Sequence, residues 1–188
     1  MLRQFDLRGI AVADAMKAVN ESKTSELVQK QRTIYVPETL TELKDLVKSK
    51  LQGNLLCFDI ETKPTQITCI GYACNDTEAV VIPFYDPSKP ERSYWNIQDE
   101  LEVWKIVAEL QARSTKKLTQ NGLYDMQYLW RVMGIPTHGE IEDTMMLHHS
   151  LYPEMEKSLG FLGSLYTNQS AWKQMRPRGT KMEGKSDE

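Results

Sequence analysis

The sequence predicts a mixed α/β domain of layered type, with a central sheet that joins an antiparallel meander to parallel strands and carries helices on its flanks. Three observations predict it. Segments 55–60, 67–72 and 79–84 are short, apolar and rich in β-branched or aromatic residues, as strands are. The turn-forming run Asn75-Asp76-Thr77-Glu78 separates the last two closely enough for a meander. After residue 95, helix-period patterns alternate with shorter strand candidates, which implies helices layered on a sheet. The chain has 188 residues, 40% hydrophobic and 26% charged, which fits one soluble domain with a short appendage. A chain of this size buries about 70% of its unfolded surface, so it needs neither disulfides nor a structural metal. A net charge of −3 excludes a histone-like nucleic-acid binder and leaves a local basic groove open.

Residues 1–32 read as a helical appendage or linker, with one short helix over Ala11–Val19 and a break at 21–26. The main domain is expected over 33–170. It opens with a strand at 33–36 that Pro37 closes. Thr39-Leu40-Thr41-Glu42 is a capping box, and Leu40, Leu43, Leu46, Val47 and Leu51 put an apolar stripe on the helix that follows, ended by Gly53. Leu55–Ile60 is a nearly continuous apolar run, as expected of a strand covered on both faces. Three prolines make 83–92 a loop, and a helix is expected over Trp95–Ala112 with Ile97, Leu101, Trp104, Val107, Ala108 and Leu110 apolar. Lys117–Thr119 is a very short strand candidate, followed by helices at Leu123–Met133, stopped by Gly134, at Thr144–Leu151, terminated by Pro153, and at Leu159–Tyr166. Residues 171–188 read as a polar, basic tail in loop form.

Several features take ordinary readings. Cys57, Cys69 and Cys74 sit in or beside apolar runs without a CxxC pair, so reduced, buried thiols in a reducing cytosol are expected. The first residues lack the basic-then-apolar pattern of a secretory leader, and no apolar run reaches membrane-spanning length. The four tryptophans read as packing residues, and His148-His149 as an ordinary helix pair facing different directions.

The chemistry is carried by carboxylates. Asp59 and Glu61 lie two apart at the end of a strand, so both side chains point to one face. Two acids there repel unless a cation lies between them, and oxygen ligands suit a hard divalent ion such as magnesium or manganese. The tripeptide alone is weak evidence, because Asp76-Thr77-Glu78 repeats the pattern in what reads as a solvated turn. The apolar residues before Asp59 set it apart, since an unpaired charge among them is costly. Asp125 falls in the first turn of a helix after Asn121-Gly122, where the helix dipole alone would also favour an acid. Asp143 sits at the N-cap of the next helix, and capping alone could explain it.

Taken together, Phe58-Asp59-Ile60-Glu61-Thr62, Asn121-Gly122-Leu123-Tyr124-Asp125 and Glu142-Asp143-Thr144-Met145-Met146-Leu147 resemble motifs of the DEDD 3′–5′ exonucleases. Lys157–Thr167 is similar to the stretch that follows in the proofreading domains of phage-type family A DNA polymerases. The resemblance covers about residues 33–175. It implies a ribonuclease H-like fold and hydrolysis of the 3′-terminal phosphodiester of DNA by two magnesium or manganese ions. On that resemblance Asp59, Glu61 and Asp125 are the metal-binding catalytic residues, Thr62 and Asn121 lie near the terminal nucleotide, and Asp143 supports them.

The same family needs a fourth carboxylate from a Tyr-x-x-x-Asp or His-x-x-x-x-Asp motif. Tyr166 is followed four residues later by Ser170, and neither His148 nor His149 has an aspartate five residues on. His138 has only Asp143, ahead of the helix that Asp143 caps, and Asp187 is the one aspartate after it. The expectation is a chain truncated before the last motif helix, which a polymerase domain or partner chain completes. Its partner would be a single-stranded DNA 3′ end, without a membrane, in the cytoplasm of the cell or of a phage host. The alternative is a non-catalytic exonuclease-fold domain for docking or single-strand binding in replication.

Overall fold

The computed structural model describes residues 8–26, 30–63 and 66–168. The elements in chain order are α1 (Arg8–Glu21), β1 (Thr33–Tyr35), α2 (Leu40–Lys50), β2 (Leu55–Lys63), β3 (Gln66–Ala73), β4 (Glu78–Pro83), α3 (Ile97–Ala112), β5 (Lys116–Thr119), α4 (Leu123–Met133), β6 (Ile141–Asp143), α5 (Thr144–Leu151) and α6 (Leu159–Tyr166). They form two units: Lys30–Leu151, which contains the sheet, and the remainder, which contains α1 and α6. The 171–188 tail, Trp172, Ser170 and Asp187 lie outside the described residues.

The sheet has six strands in the order β1-β4-β3-β2-β5-β6. β2, β3 and β4 are the antiparallel meander that the turn residues imply. β1 joins β4, β5 joins β2 and β6 joins β5 in parallel, so the sheet is mixed as expected. β6 is a departure: the sequence marks Ile141 only as the lead-in to a helix, and three residues are too few to display a period.

The core of the larger unit lies on one face of the sheet, where Phe58, Ile60, Ile70, Tyr72, Val80 and Ile82 pack beneath α2 and α3 residues such as Leu43, Val103 and Leu110. The buried Tyr72 hydroxyl accepts a hydrogen bond from Gln111 Nε2 at 3.0 Å. α2 begins at the expected Thr39 cap, whose hydroxyl accepts from the Glu42 N–H at 3.2 Å, but the Glu42 carboxylate returns to the N–H of Glu38 rather than of Thr39. α3 starts later than its sequence pattern implies. Trp95 precedes the helix, buried, with Nε1 donating to the Pro83 carbonyl at 2.6 Å, and Asn96 caps the first turn. Ile97 and Leu101 are consequently exposed, and the sheet takes the overlapping stripe of Val103, Ile106, Val107 and Leu110. Trp104 stacks on Phe84 with ring centres 4.1 Å apart, whereas Trp130, on α4, is exposed, against its reading as a packing residue.

In the smaller unit, α1 runs longer than Ala11–Val19, and its Lys17 ammonium donates to the carbonyls of Ser164 and Thr167 at the end of α6. The three cysteines are free thiols, half-buried rather than buried, and burial raises the pKa of Cys57 and Cys69. Among the described residues no helix is long and apolar enough to cross a membrane.

Candidate active site

β2 is the strand at which the sheet changes direction, with antiparallel β3 on one side and parallel β5 on the other. Crevices at such switch points lie beyond the carboxyl ends of the parallel strands. The β5 pairing stops at Cys57↔Leu118. Beyond it one edge of β2 faces the start of α4, and the Ile60 N–H donates to Asp125 Oδ1 at 3.3 Å. The helix after β5 therefore brings its first-turn carboxylate against the strand that carries Asp59 and Glu61.

Asp59 and Glu61 share one face of β2, as their spacing requires, but they are exposed rather than buried. The expectation of a strand covered on both faces fails here. Leu56, Phe58 and Ile60 occupy the covered face, while Leu55 and Cys57 are half-covered and the acids open to water. Across the ladder Asp59 faces Gly71, which has no side chain to cover it, and Glu61 faces Cys69. A bulge between Glu61 and Thr62 then re-aims the end of the strand. Thr62 Oγ1 lies 2.8 Å from the Tyr124 hydroxyl, which ties the strand end to the exposed first turn of α4. Sequence reasoning passed over Tyr124, although its place beside Asp125 on a first helical turn was the available signal.

Asp125 is the buried acid, with 4% of its surface exposed. Burial first, and then the charge of Asp59, push its carboxyl up to about 6, with a smaller push from Glu61; the Ile60 N–H pulls the other way. Asp125 thus senses the charge of both strand acids.

The turn that delivers Asp125 is braced by Asp143. One oxygen of its carboxylate accepts from the Gly122 N–H at 2.8 Å and from the Thr119 hydroxyl at 3.4 Å; the other accepts from the Met145 N–H at 2.8 Å. Asp143 therefore caps α5 and fastens the β5–α4 turn. Asn121 takes the left-handed conformation, φ 58°, whereas Gly122 has an ordinary φ of −67°. Gly122 is needed for room: a Cβ would lie 2.3 Å from the Thr119 side chain. Gly122→Ala is expected to cost about 1–3 kcal/mol through this clash, read as a lower urea midpoint.

The other sequence candidates lie elsewhere. Asp76 forms an exposed ion pair with Lys30, and Glu78 begins β4, bonded to Lys50 and to Tyr35. His148 is buried and His149 exposed, as adjacent helical positions imply.

The donor set of Asp59, Glu61 and Asp125 is oxygen alone, which fits a hard divalent cation in kind. Among the described residues, however, no three His, Cys, Asp or Glu side chains converge into a metal-holding group. The chemistry of the donors fits; a preformed cage is absent.

Solved structures with the same architecture decide the fold. The exonuclease domain of Aedes aegypti Nibbler matches 81% of this chain and 80% of its own length, with a TM-score of 0.55 and 14% identity. The chain has the ribonuclease H-like exonuclease fold. The catalytic core of Trypanosoma brucei RRP6 shares that exonuclease fold over 82% of this chain, with a TM-score of 0.55 and 14% identity. Trypanosoma brucei RNase D does so over 73%, with a TM-score of 0.50 and 17% identity. The chain covers 42% of the RRP6 core and 49% of RNase D, less than half of either. No protein-family model matches the chain, and no curated protein sequence does.

Proposed function

We propose that this chain is a 3′–5′ exonuclease that hydrolyses the 3′-terminal phosphodiester of single-stranded DNA. The observation that carries the reading is Asp125, a buried carboxyl raised to about 6 by burial and by Asp59 and joined to the carboxylate strand at Ile60. A perturbed acid beside two exposed carboxylates at a sheet switch point is a candidate catalytic site. Asp59, Glu61 and Asp125 would hold magnesium or manganese, as two ions in the full reading. Such a cation would lower the pKa of a bound water and polarise the phosphoryl oxygens. Asp59 and Glu61 present their carboxylates on the open face, Asp125 brings its charge from α4, and Asp143 holds the turn that aims it. The Thr62 and Tyr124 hydroxyls and Asn121 border the place for the terminal nucleotide.

The finer reading is proofreading, as part of a phage-type family A polymerase acting in the cytoplasm of the cell or of a phage host, with a polymerase domain or partner chain contributing the fourth carboxylate. The Lys157–Thr167 segment supports it. The alternative reading is a non-catalytic exonuclease-fold domain for docking or single-strand binding in replication.

The test is gel analysis of 5′-labelled single-stranded DNA and RNA with the purified chain in magnesium or manganese. Stepwise loss from the 3′ end that Asp59→Ala abolishes is the expected result, weak unless the partner is added. No loss with either metal and with a polymerase partner present supports the strand-binding reading, and preference for RNA removes the proofreading role.

A further inference from the structure

Just beyond the carboxylates, β2 ends in a second cluster, built from cations. Lys63, the last residue of β2, lies two positions past Glu61, about 7 Å further along the strand. Its ammonium stands 3.6 Å from the centre of the Tyr85 ring. Lys63 first, and Arg92 with it, hold the Tyr85 hydroxyl below its ordinary pKa, so two cations from separate segments act on one group.

The loop that carries Tyr85 and Arg92 is closed on itself. The Asp86 N–H donates to the Arg92 carbonyl at 3.0 Å, the Arg92 N–H to the Lys89 carbonyl at 3.0 Å, and Tyr85 and Ser93 pair as an isolated antiparallel bridge. Arg92 holds a left-handed φ of 56°, a conformation that costs a non-glycine residue of order 1–3 kcal/mol. Arg92 also borders a cavity of about 190 Å³ whose walls include Gln66, Ser93 and Trp104.

The nearby acids are accounted for in part. Glu100 accepts from the Ser93 hydroxyl at 2.7 Å, and Asp86 accepts from Ser88 and lies 3.9 Å from the Lys89 ammonium; Glu91 lines the same cavity as Arg92. Among the described residues neither Lys63 nor Arg92 forms an ion pair with a carboxylate. Two cations that act on one side chain repel each other, and an anion between them relieves that repulsion. A point-charge ammonium beside a planar guanidinium fork is a donor set for a phosphate.

We propose that Lys63, Tyr85 and Arg92 form a phosphate-binding cluster that grips the backbone of a nucleic-acid strand within a nucleotide or two of its terminal linkage. The identity of the ligand as a nucleic-acid strand rests on the exonuclease reading above. The cluster lies along β2 from the carboxylates by a distance on the scale of one to two nucleotide steps. It contacts a phosphate that is not cleaved, so it contributes to binding and not to the chemical step.

The test uses the full chain in EDTA, with fluorescence anisotropy of 5′-labelled oligothymidylate and oligouridylate over a range of salt. Lys63→Ala and Arg92→Gly are each expected to weaken binding about 3- to 10-fold at low salt and to reduce the slope of log affinity against log salt by about 0.7. Glycine at position 92 removes the backbone strain, and Lys63 is exposed, so both variants are expected to fold. Lys105→Ala, a surface cation bonded to Glu102, is the control and should leave binding unchanged. Binding by Lys63→Ala and Arg92→Gly with the parent's affinity and salt slope overturns the cluster, as does an unaltered chain that binds neither oligonucleotide. The two readings fail separately. Parent-like binding and cleavage by both variants removes the cluster and keeps the exonuclease. Salt-dependent binding that both variants weaken, without cleavage in magnesium or manganese, keeps the cluster and removes the exonuclease.

Discussion

Asp125→Asn is expected to abolish 3′-end trimming, by 100-fold or more, and yet to make the metal-free protein more stable at pH 8. The two effects share one cause. The unfolded chain titrates an aspartate near pH 4, whereas burial and the Asp59 charge raise Asp125 to about 6 in the folded chain. Between those values the native state keeps a proton that the unfolded state has lost. Stability associated with this group is therefore fully present below about pH 4, falls as pH rises from about 4 to about 6, and is absent above. The difference of about two pK units corresponds to about 2–3 kcal/mol. Asparagine keeps an oxygen for the Ile60 N–H and carries no charge, so it removes that cost. Urea denaturation in EDTA at pH 5 and pH 8 should show the parent losing stability between the two and Asp125→Asn holding level. Adding magnesium should raise the parent's midpoint at pH 8 and move the variant's less, because a cation that binds the native state stabilises it in proportion to its affinity. A variant less stable than the parent at pH 8 in EDTA would show that Asp125 is held as a stabilising charge, and the metal assignment would lose its main support.

The parts of this site that were legible in the sequence are those set by local periodicity. Asp59 and Glu61 had to share a face because strand side chains alternate, and Thr39 had to cap α2 because its hydroxyl precedes an apolar stripe with Glu42 three positions on. Their exposure was not legible. It depends on Gly71 across the ladder and on β5 leaving β2 after Cys57, both of which are pairings between distant segments. The burial of Asp125 was hidden for the opposite reason: an acid in a first helical turn already has a sufficient local explanation in the helix dipole. Asp143 likewise looked like a cap and is one, but its second oxygen reaches back across 21 residues to Gly122. β6 could not be read, because a three-residue strand takes its identity from β5 beside it. Lys63, Tyr85 and Arg92 were invisible as a group, since a bulge and a proline-rich loop bring them together and neither has a period.

Lys117 carries the largest expected effect on stability. It is a β5 residue with no exposed surface, in a segment that the sequence marks only as a very short strand candidate. Its ammonium donates to the carbonyls of Arg113 at 2.7 Å, His138 at 3.1 Å and Thr115 at 3.2 Å. Burial first, and then the Arg113 charge, lower its pKa, and those three oxygens with the Thr115 hydroxyl at 3.4 Å hold the charge against them. One side chain thus joins the α3–β5 connection to the segment entering β6, the two supports between which Thr119, Asn121 and Gly122 turn toward Asp125. Lys117→Met fills much the same volume and removes every donor. Three buried carbonyls lose a charge-assisted partner worth about 1.5–3 kcal/mol each in the most favourable case, and the removed desolvation of the ammonium offsets part of that. The expected net loss is about 3–5 kcal/mol, a large share of the total for a domain of this size, and should appear as a fall in urea midpoint with little change in slope. Lys117→Arg, which keeps the charge and adds bulk to a closed site, should also destabilise, by about 1–3 kcal/mol. A Lys117→Met protein as stable as the parent would mean that hydrophobic burial outweighs the three lost bonds, and that packing alone fixes the turn delivering Asp125.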